Sequence, residues 1–66
     1  MIISAFTQPE LDFLWEKCNF AGHEKDVFRM RSSGISQEVI AEQLNLSVDS
    51  IKKISRRVND KIIKVL

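Results

Sequence analysis

The chain has 66 residues, enough for one domain, and a core of that size is worth only a few kcal/mol of net stability. With 44% hydrophobic and 29% charged residues, one proline and two glycines, we expect a compact, mostly helical fold without long disordered tracts. The single cysteine, Cys18, excludes an intramolecular disulfide and suits a reducing compartment and a structural role. No signal-peptide pattern opens the chain and no apolar run reaches membrane-spanning length, so we expect a cytoplasmic protein with no membrane partner.

The net charge of +1 conceals an uneven distribution along the chain. Residues 1–24 contain four acidic residues and one lysine, a sum of −3, and residues 25–46 contain three charges of each sign. Residues 47–66 contain six basic and two acidic residues, a sum of +4. A basic last third is typical of a local polyanion-binding surface, although a solvated helix face produces the same pattern.

The first helix is predicted at about residues 7–18. Its start is the capping box TQPE, in which the Thr7 and Glu10 side chains pair with each other's amides and Pro9 needs no amide partner. Helical spacing predicts one apolar face made of Leu11, Leu14, Trp15 and Cys18. Phe13 lies outside that face, and Asn19 and Gly22 favour a turn after it.

The second and third helices are predicted at about residues 23–33 and 36–44. In the second we expect Val27, Phe28 and either Met30 or Arg31 to point inward, and Gly34 to follow it in a left-handed conformation. Ser36 is a good N-cap for the third helix, and Ile35 before it can pack against Ile40. The inward residues of the third helix are predicted to be Val39, Ile40 and Leu44.

The fourth helix, at about residues 47–64, has the strongest pattern. At 100° per residue, one narrow stripe collects Ile51, Ile54, Val58, Ile62 and Val65. The opposite, mostly cationic side carries Asp49, Lys53, Arg56 and Asp60. Together the four predicted helices make an all-α, compact domain spanning residues 1–66.

The stretch from Gln37 to Arg56 has the residues that a helix–turn–helix requires. Ala41 is the small residue where two helices cross, Asn45 tolerates the left-handed turn position, and Leu46 fills the turn. Inward apolar residues stand on both sides of the turn: Ile40, Leu44, Ile51 and Ile54. Asparagine in place of glycine at the turn is a mild departure, since asparagine reaches the left-handed region at some cost.

The segment GISQEVIAEQLNLSVDSIKKISRRVNDKI, residues 34–62, resembles the helix–turn–helix of region 4 of bacterial sigma factors and of LuxR-type (GerE-like) output domains. The usual pattern there is G-L-S-x-x-E-I-A-x-x-L-x-[IV]-S-x-x-T-[IV]-K, and residues 20–36 align without a gap with the helix preceding it. The resemblance covers about two-thirds of the chain. The segment FTQPELDFLWEKCNF, residues 6–20, looks like the opening of short stand-alone proteins of this type from phages and mobile elements of Gram-positive bacteria.

The resemblance implies a winged-helix-like or sigma region 4-like fold without a wing, and double-stranded DNA bound by the fourth helix in the major groove. The side chains expected to reach base edges are Val48, Asp49, Ser50 and Lys53. Those expected to contact phosphates are Ser36, Gln37, Ser47, Lys52, Arg56 and Arg57. In sigma region 4 the positions of Val48 and Asp49 are often arginine and glutamate, so a different DNA sequence is expected. Asp49 has a plainer interpretation too, because an acid in the first turn stabilises any helix.

An enzyme is not expected, because Ser36 and Ser47 are explained as caps and one histidine, His23, makes neither a triad nor a metal site. We expect no catalytic residue, metal or cofactor. A homodimer is expected, because one short helix reads few base pairs; it would pair through the first helix or the tail KIIKVL. The rival to a transcriptional regulator is a protein-interaction adaptor that binds RNA polymerase, a sigma factor or a phage DNA-packaging complex.

Overall fold

A computed structural model of the protein describes residues 3–66, and every regular element within that range is helical. A short 3-10 turn at Ile3–Ala5 is followed by four α-helices: α1 (Gln8–Lys17), α2 (His23–Ser32), α3 (Gln37–Leu44) and α4 (Val48–Val65). The prediction of four helices is confirmed, and each bound lies within one residue of its predicted position. The domain was predicted over residues 1–66, of which Met1 and Ile2 lie outside the described range.

The helix α4 is the element on which the others pack. Its 18 residues correspond to about 27 Å at the α-helical rise, close to the molecule's longest dimension of 29 Å. The predicted stripe points into the core, with Ile51, Val58 and Ile62 fully buried and Ile54 and Val65 half-buried against it. The helices α1, α2 and α3 all contact α4, so buried apolar side chains of all three helices pack around one stripe.

The helix α2 lies across the core face of α4, and polar contacts join the two helices on both sides of the stripe. Near its start, Glu24 accepts a hydrogen bond from the Lys61 ammonium, which also donates to the Asn19 carbonyl over 3.5 Å. Near its end, the Arg31 guanidinium donates to Asn59 Oδ1 over 3.4 Å. Asn59 and Lys61 point about 160° apart around α4, so the two contacts hold it from opposite flanks.

The local signals for helix ends are present as predicted. The Glu10 carboxylate accepts from the Thr7 amide over 2.8 Å, and Pro9 lies in the first turn of α1. After α2, Gly34 is left-handed at φ 81°, and its amide donates to the Arg31 carbonyl over 3.0 Å. Local hydrogen bonds therefore satisfy backbone groups at these helix ends, so the ends depend little on packing against the small core.

Two residues predicted to point inward are exposed instead. Trp15 keeps 41% of its surface exposed, because it lies about 80° around α1 from the buried pair Leu14 and Cys18. Its ring lies against the surface, with its centroid 6.2 Å from that of Phe28 and 6.0 Å from the Arg29 guanidinium.

Val39 is 40% exposed for a related reason. Ile40 and Ala41 are the buried residues of α3, which turns the buried face of this helix toward Ala41 and leaves Val39 about 150° from its centre. In α2, Val27 and Phe28 are buried as predicted, whereas Met30 and Arg31 are both half-buried. Phe13 is exposed and Cys18 is buried, as expected, and burial raises the pKa of the Cys18 thiol.

One buried residue of α4 was not anticipated. Ser55 is 3% exposed, and its hydroxyl has no hydrogen-bond partner among the described residues. Its small side chain, like that of the buried Ala41, lets neighbouring helices approach closely, but a buried hydroxyl without a partner costs about 1–3 kcal/mol.

We predict that Ser55→Ala raises the free energy of unfolding by about 1 kcal/mol, because it removes the unpartnered hydroxyl and keeps the small volume. Urea unfolding followed by circular dichroism would measure the change. Ser47→Ala is the contrasting serine variant, since it deletes an N-cap and should lose about 1 kcal/mol. A clear loss of stability in Ser55→Ala would mean that its hydroxyl has a partner after all.

A second prediction concerns pH. The hydrogen bond from Lys61 is the main cause that holds the pKa of the Glu24 carboxyl below its ordinary value of 4.5. A carboxyl with a depressed pKa stabilises the fold above its unfolded pKa, and that contribution is lost as pH falls through the folded value. Glu24→Gln should therefore be less stable than the unmodified chain at neutral pH, by no more than about 1 kcal/mol, and the difference should vanish in acid.

Urea unfolding from neutral pH down to about pH 3 would measure that difference. Glu42→Gln is the control, because Glu42 is exposed in α3 and has no ionic partner in the described part of the chain. A Glu24→Gln difference that persists unchanged into acid would contradict an ionic contribution.

Candidate nucleic-acid interface

The junction between α3 and α4 has only three residues, Asn45–Ser47, and each has a defined task. Asn45 is left-handed at φ 59° and ψ 40°, which ends α3 and reverses the chain direction. The Asn45 amide donates to the Glu42 carbonyl over 3.3 Å and the Leu46 amide to the Ala41 carbonyl over 2.9 Å, the two bonds of a Schellman motif. Leu46 is half-buried against the core, as the sequence predicted.

Ser47 begins α4 as its N-cap. Its hydroxyl oxygen accepts from the Ser50 amide over 3.1 Å, and its proton is donated to the Ser50 hydroxyl over 3.0 Å. Both hydrogen-bonding functions of Ser47 are therefore engaged within the cap, and the hydroxyl proton that remains for a ligand belongs to Ser50. The two serines place the start of α4 directly after the turn, at a fixed angle to α3.

The side of α4 that faces away from the core carries the predicted basic residues. Lys52, Lys53, Arg56 and Arg57 are all exposed, and Asp49 and Asp60 lie among them. Within residues 3–66, no carboxylate comes within 4.0 Å of any of these four cations. With four cations against two acids, this side of α4 lowers the electrostatic potential energy of an approaching polyanion.

The candidate base-contacting residues are not equivalent in the structure. Asp49 and Lys53 are exposed on the outward side of the first two turns, whereas Ser50 is half-buried at its edge. Val48 is also half-buried and packs partly against the core, so only part of its side chain faces outward. Asp49 and Lys53 are consequently the two side chains best placed to meet a surface that approaches the start of α4.

The candidate phosphate-contacting residues divide between the two helices. Ser36 is exposed and caps α3 by accepting from the Val39 amide over 3.4 Å, and Gln37 is half-buried beside it. On α4, Lys52 and Arg56 lie on one flank, and Arg57 lies on the other flank, where its positive charge contributes to the lowered pKa of Glu24. The structure thus presents cations on both flanks of the outward side, with the amides of a helix start nearby.

Lys61 was counted among the basic residues of the last third, but its charge is used inside the fold. Its side chain is only 35% exposed, and its ammonium is paired with Glu24. The sequence could not reveal this pair, since the two residues lie 37 positions apart. The cations left for a ligand therefore lie mainly in the first half of α4, close to the junction with α3.

The other chemistry-bearing residues of the chain do not form a second site. His23 is exposed and lies 3.8 Å from the Asp26 carboxylate. In the part of the chain that the structure describes, no three His, Cys, Asp or Glu side chains converge as metal ligands. None of the helices between residues 3 and 66 has the length and apolar character needed to cross a bilayer.

Comparisons with protein-family models, with curated proteins and with solved structures found no match for this chain. The resemblance to sigma region 4 and LuxR-type domains thus rests on the residues of the sequence itself.

We predict that the left-handed position at Asn45 tolerates glycine and rejects a β-branched residue. Asn45→Gly should change the free energy of unfolding by less than about 0.5 kcal/mol, because glycine adopts the same conformation without steric cost. Asn45→Val should lose about 1–2 kcal/mol, since its branched side chain clashes in that region. Glu42→Val, an exposed change within α3, measures the cost of valine in a helix. Equal free energies of unfolding of the Asn45→Gly and Asn45→Val variants in urea would contradict a left-handed conformation at Asn45.

Proposed function

We propose that the chain is a sequence-specific DNA-binding transcriptional regulator in which α3 and α4 form a helix–turn–helix and α4 enters the major groove. The observation that carries the proposal is the unpaired cationic side of α4, which begins immediately after a three-residue turn. A helix of about 10–12 Å diameter matches the roughly 12 Å width of the major groove of B-DNA. The cations on its flanks would then face the two phosphate backbones that border the groove.

In this arrangement the first two turns of α4 read the bases. Asp49 can accept from the amino group of cytosine, Lys53 can donate to the acceptors of guanine, and Ser50 can donate or accept. The outward part of Val48 can contact the methyl group of thymine. Val48 and Asp49 differ from the arginine and glutamate common in sigma region 4, so the preferred DNA sequence should differ from a sigma promoter element.

Phosphate contacts hold the helix in register but carry no sequence information. Lys52, Arg56 and Arg57 supply them from α4. Ser36 and Gln37 supply them from the start of α3, where unpaired amides and the helix dipole favour an anion. Ser47 can contribute only if its hydroxyl exchanges the Ser50 partner for a phosphate oxygen.

The alternative function is an adaptor that binds RNA polymerase, a sigma factor or a DNA-packaging complex. One observation favours it: three large apolar side chains, Phe13, Ile63 and Leu66, are exposed by 47%, 61% and 75%. Exposed apolar groups that lie together mark interaction surfaces more often than single ones do. Ile63 and Leu66 lie at the opposite end of α4 from its cationic start, so a protein partner could bind them without using the cationic side.

We predict that the quadruple variant Lys52→Ala, Lys53→Ala, Arg56→Ala, Arg57→Ala loses salt-dependent DNA binding and keeps its helical circular dichroism signal. The measurement is fluorescence anisotropy with a mixed-sequence 20-bp duplex, repeated over a range of salt concentrations. Each phosphate contact removed should reduce the slope of log K against log salt concentration by about 0.9. Three such contacts, at Lys52, Arg56 and Arg57, should reduce it by about 3.

A matched pair of double variants controls for the loss of charge alone. Lys52→Ala with Lys53→Ala removes two positive charges from α4, and Lys17→Ala with Lys25→Ala removes two exposed ones from α1 and α2. Only the first pair should weaken binding substantially. Absence of salt-dependent binding by the unmodified chain would refute the regulator and favour the adaptor, whereas equal losses in both pairs would refute the assignment to α4.

A further inference from the structure

An apolar groove lies at the end of α4 farthest from the cationic residues near its start. It has a volume of about 290 Å³, and its apolar lining comes from Phe6, Pro9, Phe13, Leu14 and Leu66. Phe13 projects from its rim on α1, and Ile63, one helical turn before Leu66, projects from α4. The groove therefore joins the first helix and the tail of the chain into one surface.

We propose that this groove seats a second copy of the chain, giving a two-fold symmetric dimer that presents two copies of the start of α4. The use of such a dimer in DNA binding rests on the proposed function, whereas the pairing of the two chains does not depend on DNA. A two-fold interface must be self-complementary, because the same patch serves both partners. This surface satisfies that condition, since it has both a groove and projecting side chains, Phe13 and Ile63, that can enter the groove of a partner.

Charge selects one of the two ways in which the patches can face each other. The helix α1 has a net charge of −2, from Glu10, Asp12 and Glu16 against Lys17. The end of α4 is close to neutral, because Lys61 is paired with Glu24 and the charge of Lys64 is offset by that of Asp60. Packing α1 on the partner's α1 would bring like charges together, whereas packing α1 on the end of the partner's α4 would not. The second orientation is the one we infer.

The available area indicates a weak dimer. A standard interface buries about 800 Å² on each partner, which is about 18% of the 4471 Å² surface of this chain. The exposed parts of Phe13, Ile63 and Leu66 can supply only the apolar centre of such an interface, with the charged residues of α1 and α4 as its rim. We therefore expect dissociation constants in the range of about 10 µM to 1 mM.

The length of α4 fits the spacing of DNA half-sites. The start of α4 lies about 27 Å along the helix from Leu66, at about 1.5 Å per residue. Half-sites one turn apart on the same face of DNA are about 34–36 Å from centre to centre, so each reading helix must lie about 17 Å from the two-fold axis. A dimer paired at the groove meets this distance when each α4 is inclined to the line that joins the two half-sites.

The test is sedimentation equilibrium of the full chain from about 10 µM to about 1 mM. The unmodified chain should shift from the mass of one chain to that of two. Phe13→Glu and Ile63→Glu should weaken the association by about tenfold or more, because each places a charge at the apolar centre. Val39→Glu is the matched control: Val39 is also an exposed apolar residue, but it lies on α3, and this variant should associate like the unmodified chain.

Circular dichroism of each variant would check that it is folded. All three variants should fold, because the side chains they replace are exposed. A single-chain mass for the unmodified protein at the highest concentration would overturn the proposal, and so would unchanged association of Phe13→Glu and Ile63→Glu. Failure of the proposed function has a separate signature, which is a normal dimer without salt-dependent DNA binding. If both proposals hold, the Phe13→Glu variant should lose cooperative binding to DNA. Its binding to mixed-sequence DNA should keep the same dependence on salt concentration for each bound chain.

Discussion

The burial of one stripe of α4 is the constraint on which the rest of this small structure depends. Ile51, Val58 and Ile62 are fully buried, and the three shorter helices supply the side chains that cover them. Residues 3–66 form no further element that covers the opposite side of α4. The outward side must therefore be polar for reasons of solubility alone, and the question that bears on function is which polar residues occupy it.

The distribution of charge on α4 separates residues that support the fold from residues that are available to a ligand. Lys61 and Asn59, in the second half of α4, bind Glu24 and Arg31 of α2 and hold the two helices together. The cations of the first half have no acidic partner within the described chain. Acidic residues do stand three or four positions away, Asp49 before the two lysines and Asp60 after the two arginines, the spacing at which ion pairs stabilise helices. No carboxylate comes within 4.0 Å of these cations in the described chain, so all four remain available to a polyanionic ligand.

Most of the local structure could be predicted from the sequence, because its causes are local. The capping at Thr7, Ser36 and Ser47 and the left-handed conformations at Gly34 and Asn45 depend on residues within one turn. The predictions for Trp15 and Val39 were wrong because periodicity identifies an apolar stripe but not which edge of it the neighbouring helices cover. The contacts of Glu24 with Lys61 and of Arg31 with Asn59 depend on how α2 crosses α4. The burial of the Ser55 hydroxyl depends on how closely the helices pack. Neither could be predicted from a local sequence pattern.

The two ends of α4 have different chemistry, and the difference bears on how so small a protein could bind DNA usefully. Under the proposed function, one helix start offers two exposed side chains to the bases, Asp49 and Lys53, and a few good base contacts cannot separate one site from the many competing sites of a genome. The groove formed by Phe13 and Leu66 lies at the other end of the same helix. Because α4 is continuous between the two ends, pairing at the groove would fix the distance and orientation of two reading ends without any additional domain. A weak dimer is sufficient for this purpose, since the second reading end binds at the high effective concentration created by the first.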